Sequence, residues 1–166
     1  MTYVNIPDDI LFLLNDKMKS KIEKQTEVSI SIDDKAKTVS ISHANSVREM
    51  EVKQILNALK LGFDINTAFK IFNNDFIIFE TINIKDNTRN DKEFKRQKGR
   101  IIGQNGRTKE LISELAEVDV SINDKSVGII GNMQDVKEAK RAILKIIQGD
   151  RHATVYNQLE KYKSKK

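Results

Sequence analysis

At 166 residues, 39% hydrophobic and 32% charged, the chain can build one ordinary domain or two small ones and is not a disordered tail. It contains no cysteine, which excludes a disulfide framework and any thiolate metal site. The net charge of +5 is unevenly placed: residues 1–75 hold 10 Lys/Arg against 11 Asp/Glu, and residues 76–166 hold 19 against 13.

No apolar run approaches the ~20 residues that a membrane-spanning helix needs. The stretch Met1 to Pro7 lacks the charged and apolar regions of a signal peptide. A cytoplasmic protein is the expectation.

In chain order, a strand is predicted over Tyr3–Ile6, followed by two helices. Val28, Ile30 and Ile32 then alternate with polar residues, which marks a half-buried strand. Asp33-Asp34-Lys35 supplies a turn, because Asp side chains bond their own backbone and tolerate left-handed dihedrals. Thr38-Val39-Ser40-Ile41 continues as a second strand. Val52, Ile55, Leu56 and Leu59 fall on one helical stripe that ends near Gly62.

Phe63, Phe69, Phe72, Phe76 and Phe79, five of the seven phenylalanines, crowd the middle of the chain. A stacking platform for bases is one reading. Aromatics at helical and strand spacing usually form core, so packing between two units is the expectation.

A strand over Phe76–Ile84 opens the second half. The segment 85–109 holds nine basic residues (Lys85, Arg89, Lys92, Lys95, Arg96, Lys98, Arg100, Arg107, Lys109) against three acidic ones. Such a cluster suits a phosphate backbone, and it is also what a solvated helix face looks like. Within it lies Gly103-Gln104-Asn105-Gly106, with Phe94, Ile101 and Ile102 before it and Leu111, Ile112 and Leu115 after it in helical pattern. Two glycines three apart between helices permit a sharp turn and let a phosphate approach the backbone without meeting a Cβ. Backbone N–H groups at the start of the second helix favour negative charge there. A nucleotide-binding phosphate loop is rejected: Gly106-Arg107-Thr108 imitates its end, but Ile101 stands where its first glycine must be.

Val118, Val120 and Ile122 alternate as Val28, Ile30 and Ile32 do, Asn123-Asp124-Lys125 turns, and Ser126-Val127-Gly128-Ile129 follows. Val136, Ala139, Ala142, Ile143, Ile146 and Ile147 share one helical stripe that ends near Gly149. The chain therefore repeats itself. Glu27-Val28, Ser31-Ile32 and Asp34-Lys35 recur ninety positions later as Glu117-Val118, Ser121-Ile122 and Asp124-Lys125. The order strand–helix–helix–strand–strand–helix, used twice, predicts an α+β fold of two units, residues 1–75 and 76–166. Each is expected to pack a three-stranded antiparallel sheet on three helices. At the offset of ninety, Leu13-Leu14-Asn15-Asp16 occupies the loop position of the first unit, without a glycine and with a carboxylate that repels phosphate.

The glycine loop, its Ile-Ile approach, its basic flanks and its place before helix–strand–strand–helix resemble the KH domain. There a G-x-x-G loop clamps about four nucleotides of a single strand. The resemblance implies two tandem type I KH-like repeats, the first degenerate. The degenerate-plus-intact pair, the run Lys98–Gly106 and the tail Gly149-Asp150-Arg151-His152-Ala153-Thr154-Val155-Tyr156 are similar to the archaeal members of the partner-of-Nob (Dim-two) family. That similarity implies a non-catalytic ribosome-assembly factor that binds single-stranded RNA near the 3′ end of small-subunit rRNA. The endonuclease Nob-one and the alpha subunit of initiation factor two are implied partners. The first loop lacks glycines that many archaeal relatives keep, and Ala153 stands where the family tail usually has glycine. The RNA contacts expected are Lys98, Arg100, Ile102, Gly103, Gln104, Asn105, Gly106, Arg107, Thr108, Lys109, Leu111 and Val120. Ile102, Leu111 and the edge near Val118–Val120 would form the apolar groove for bases. A KH-shaped scaffold for protein partners is the rival reading, supported by the loop-less first unit.

No cofactor or metal is expected. His43 and His152 lie in different units, and neither has a partner at ligand spacing. A C-terminal helical tail is expected to follow the second unit's three helices, and on it His152 would touch RNA or cap the preceding helix. The acidic pairs Asp8-Asp9 and Asp33-Asp34 fall at a helix start and a turn. Lys161–Lys166 is expected to be a fraying, solvated end.

Overall fold

Alternating apolar positions give each half of the chain one antiparallel sheet. The first holds β1 (Thr2–Asn5), β2 (Ser29–Asp33) and β3 (Thr38–Ser42) in the order β1-β3-β2. The second holds β4 (Ile77–Asn83), β5 (Asp119–Asn123) and β6 (Ser126–Asn132) in the order β4-β6-β5. In this computed structural model, which describes residues 1–6 and 8–166, the chain divides into two units, Met1–Asn74 and Asp75–Lys166. Both predicted first strands start and end within one residue of the observed ones.

Register explains which residues form the cores. Val4, Val39 and Ile32 stand opposite one another, as do Ile82, Val127 and Ile122 in the second unit, so each row places its apolar side chains on one face. The hairpin turn is four residues long in the first unit and two in the second, which accounts for the drift of the repeat after Lys35. Asp33 Oδ1 accepts from the N–H groups of Lys35 at 3.0 Å and Ala36 at 2.9 Å, the self-bonding turn its side chain predicts.

The helices of the first unit are α1 (Asp8–Leu13), α2 (Asp16–Thr26), α3 (Ser46–Lys60) and α4 (Ile65–Asn73). Those of the second are α5 (Asp91–Ile102), α6 (Arg107–Ala116), α7 (Met133–Ile147) and α8 (His152–Ser164). Beyond the expected three-helix layer, the first unit adds α4 and the second ends on α8. The stripes read from the sequence are the buried faces of α3 and α7. Ile84, Ile101, Ile112, Ile129, Ile143 and Ile146 are fully buried in the second core, each contributing about 2 kcal/mol through the area removed from water.

The repeated Glu-Val pair has a backbone cause. Glu27 and Glu117 both end a helix in the left-handed region, at φ 59° and 58°, and their N–H groups bond Glu23 and Ser113 carbonyls.

Of the crowded phenylalanines, Phe69 belongs to α4, whose buried positions are Ala68, Phe69 and Ile71 and which packs on α3. Phe72 lies under the Arg48 guanidinium at 4.7 Å. The signal for this helix was Asp64, whose carboxylate accepts from both the N–H and the hydroxyl of Thr67 at 2.9 Å as an N-cap. Among the described residues no helix is long and apolar enough to cross a membrane.

Candidate nucleic-acid interface

Helix α5 starts on Asn90, whose side chain accepts from Glu93 N–H at 2.9 Å, and stops at Gly103, where φ is 76° and ψ 174°. That region of backbone space is open only to glycine. A Cβ at Gly103 would stand 2.2 Å from Thr108 Oγ1 and 2.6 Å from Thr108 N, so the chain also needs glycine for the close approach. Gln104–Gly106 forms a single tight turn in which Asn105 (φ 53°) and Gly106 (φ 76°) are both left-handed. Asn is among the few side chains that tolerate this conformation. A Cβ at Gly106 would meet nothing within 4 Å, and Gln104 and Asn105 are exposed. The loop therefore faces open space.

Among the described residues no side chain caps the first turn of α6. The first unit differs at this point. Leu14 and Asn15 join α1 to α2, Leu14 is buried, and Asn15 Oδ1 accepts from Met18 N–H at 3.0 Å. The helix start that would attract an anion is occupied by the chain's own side chain.

The expected contact residues fall into two groups. Gly103, Gln104, Asn105, Gly106, Arg107 and Lys109 surround the loop, with Arg107 Nη1 3.6 Å from Glu110 Oε2 in an exposed pair that holds it weakly. Lys98 is half-buried, its Nζ 5.9 Å from the Phe94 ring centre. Ile102 and Leu111 are half-exposed on either side of the loop, while Val120 is 9% exposed in β5.

Arg100 and Thr108 are held from behind. Arg100 Nη1 donates to the Ile146 carbonyl at 2.5 Å and to Gln97 Oε1 at 3.1 Å, and Nη2 donates to the Asp150 carbonyl. Its positive charge thus sits at the C-terminal end of α7, where it favours the helix dipole. Thr108 is 5% exposed, and its Oγ1 accepts from the Tyr156 hydroxyl at 2.9 Å. His152 Nε2 lies 2.9 Å from the Arg100 carbonyl, so Nε2 carries the proton and donates. Histidine does cap a helix, but the helix is α5 rather than the preceding one. Three positions of the tail Gly149–Tyr156 thus bind the two helices that flank the loop. Sequence reasoning singled out that tail but gave a task only to His152, not to Asp150 or Tyr156.

The chain end also departs from expectation. Instead of fraying, α8 runs to Ser164, and Lys166 Nζ lies 2.8 Å from Asp135 Oδ1 and 2.6 Å from Glu117 Oε2. The Tyr162 hydroxyl donates to the same Asp135 oxygen at 2.5 Å. A buried carboxylate, invisible in the charge pattern, draws the lysine in. Burial pushes the Asp135 carboxyl up, but hydrogen bonds from Lys166 and Tyr162 outweigh it and hold the group below its usual range. Burial, then the Asp135 hydrogen bond, raises the Tyr162 hydroxyl to about 12. Hydrogen bonds to Asp135 and Glu117 raise Lys166.

Among the described residues no group of three or more His, Cys, Asp or Glu is placed to hold a metal ion. What the second unit offers is an exposed glycine turn at a helix start, flanked by cations and two half-exposed aliphatic side chains. That arrangement suits the backbone of a single strand with bases laid against the aliphatics.

Comparison with known proteins agrees. Residues 78–164 match the profile of the second KH domain of PNO1, described as a eukaryotic-type KH domain (KH-domain type I). A KH domain-containing protein of Methanocaldococcus jannaschii is 30% identical over 98% of this chain and 74% of its own length. The pre-rRNA-processing protein PNO1 of Phaeosphaeria nodorum is 27% identical over 86% of this chain, which spans only 56% of that relative. Among solved structures, the a/eIF2alpha–aDim2p–rRNA complex from Pyrococcus horikoshii superposes with a TM-score of 0.89 at 35% identity, covering 99% of this chain and 94% of that one.

Proposed function

The chain belongs to the PNO1 (Dim2) family of type I KH-domain proteins, and from that premise we propose that it binds single-stranded RNA during ribosome assembly, at the 3′ end of small-subunit rRNA. The reading is non-catalytic: backbone is clamped and bases are read without covalent change. A cytoplasmic location is part of it. The observation that carries it is the pairing of the Gly103–Gly106 turn with an α6 start that no side chain among the described residues caps.

In this reading the phosphates lie against the turn, where Gly106 leaves room and Gln104 and Asn105 are exposed. Arg107, Lys109 and Lys98 supply neutralising charge, and Ile102 and Leu111 form the walls against which bases lie, with Val120 closing the groove on the β5 side. Arg100 and Thr108 hold the turn in shape from behind. The alpha subunit of initiation factor two, present with aDim2p in the solved complex, and the endonuclease Nob-one are the proposed protein partners.

A second reading concerns the first unit alone. Its loop position is self-capped by Asn15, and Phe12 and Leu13 beside it are exposed, at 83% and 52%. These features favour protein docking there over RNA binding. Crosslinking the protein to RNA in cells tests the proposal. Adducts should fall within residues 98–111 and on the 3′ region of small-subunit rRNA; adducts confined to the first unit, or spread over unrelated RNAs, would overturn it.

A further inference from the structure

The loop is not the whole of the positive surface. Helix α5 buries Gln97 and Ile101, and on its opposite, exposed side it carries Lys92, Lys95, Arg96 and Gly99. Spacing of three and four residues places these on one row that runs into Gly103. Lys95 and Lys98 stand seven and four residues before Ile102 and so share its side of the helix, the side of the groove.

Several other cations of this unit are matched with acids. Lys85 pairs with Asp91 at 3.7 Å, Arg89 with Glu93 at 3.2 Å, Lys140 with Glu80 at 3.1 Å and Arg141 with Glu138 at 3.3 Å. Lys92, Lys95 and Arg96 form no ion pair among the described residues. Of the two acids on their helix, Asp91 is the partner of Lys85, and Glu93 is held below its usual range first by the Arg89 N–H, then by the Arg89 side chain, with Arg96 adding only a lesser electrostatic contribution. Lys92 and Arg96 are four apart, Lys92 and Lys95 three, and Lys95 and Lys98 three, and like charges at those spacings destabilise a helix. A face serving only for solvation gains from interspersed acids. This one tolerates repulsion along a line that leads to the clamp. Gly99 leaves a gap in the row, with nothing within 4 Å of where a Cβ would stand, so a strand crossing there lies against the helix itself.

We propose that this face of α5 is a second phosphate track, along which RNA leaving the Gly103–Gly106 clamp is held for further nucleotides. The proposal rests on the clamp reading above and adds to it. From Lys92 to Gly103 the helix is about 16 Å long, so the bound strand exceeds the roughly four nucleotides that a KH loop holds alone.

The test titrates the full chain with single-stranded RNAs of about four and about ten nucleotides over a series of salt concentrations. Wild type is compared with K92Q/K95Q/R96Q and with a charge-matched control, K137Q/K161Q/K165Q, at exposed sites off the track. Wild type should bind the longer RNA at least about tenfold more tightly, and the track variant should lose that advantage while its affinity for the short RNA falls far less, by no more than Lys95 on the groove side contributes. Its salt slope on the longer RNA should fall by about two, three charges at about 0.7 each. Its melting temperature should not drop, because repulsion is relieved at exposed positions. The control should keep the length advantage. Equal loss on both RNAs, or a length advantage that survives in the track variant, overturns the track and leaves the clamp standing. If wild type binds neither RNA, the clamp fails and the track with it.

Discussion

The Tyr156 hydroxyl donates a 2.9 Å hydrogen bond to Thr108 Oγ1, and that same oxygen stands where a side chain on Gly103 would have to go. The last helix thereby touches the residue against which the glycine turn is folded. Tyr156→Phe should leave the buried Thr108 hydroxyl one partner short and cost about 1 kcal/mol, read by calorimetry. RNA affinity should fall several-fold, with amide exchange at Gly103–Gly106 quickening. A variant that loses stability with no change in loop exchange would show Tyr156 to be packing only.

The two glycines of the turn should respond differently. Gly103→Ala meets both a backbone region closed to other residues and a contact of 2.2 Å, so a loss of more than about 3 kcal/mol is expected. Gly106→Asn enters open space in a left-handed conformation that Asn tolerates, and should cost less than about 1 kcal/mol. Its effect should appear in RNA affinity instead, because a side chain then stands where phosphate lies. Thermal melts of both variants beside RNA titrations separate the two outcomes, and equal destabilisation would contradict the geometry.

Asn15→Ala tests the division between the units. Removing this cap from α2 should cost about 1 kcal/mol of stability. RNA affinity should be unchanged at a temperature where the protein remains folded. A marked loss of RNA binding would mean that the first loop contacts the strand after all.

The Asp135, Tyr162 and Lys166 cluster predicts the pH profile of stability. Asp135 titrates below its unfolded value near 4, so its contribution is present above about pH 4 and is lost as pH falls through the lower folded value. Tyr162 and Lys166 are raised, so their contributions are present below about pH 10 and are lost as pH rises through the folded values. Melting temperature should therefore be flat from about pH 5 to 9 and fall on both sides. Asp135→Asn should flatten both limbs. A wild-type profile peaking sharply near neutrality would refute this account.

Much of this was legible in the residues themselves. Val28, Ile30 and Ile32, and their counterparts ninety positions on, announce strands because a half-buried sheet alternates its side chains. The stripe from Val136 to Ile147 announces a helix for the corresponding reason. The glycine turn was legible because Gly103 and Gly106 adopt conformations other residues avoid. What escaped were partners far apart in the chain. Arg100 reads as one more cation in a basic run until the carbonyls of Ile146 and Asp150, 46 and 50 residues away, claim its guanidinium. His152 and Tyr156 find Arg100 and Thr108 across 52 and 48 residues. Lys166 reads as a loose end because nothing local shows that Asp135 is buried.

The central claim is that the Gly103–Gly106 turn grips the backbone of single-stranded RNA. Gln104 and Asn105 are exposed and play no part in the core, so replacing both with Asp places two negative charges on the grip and leaves the fold intact. Titration of wild type and this double variant with one single-stranded RNA should show affinity falling at least about tenfold, or about 1.4 kcal/mol, with an unchanged melting temperature. A folded double variant that binds the RNA as tightly as wild type would contradict the account.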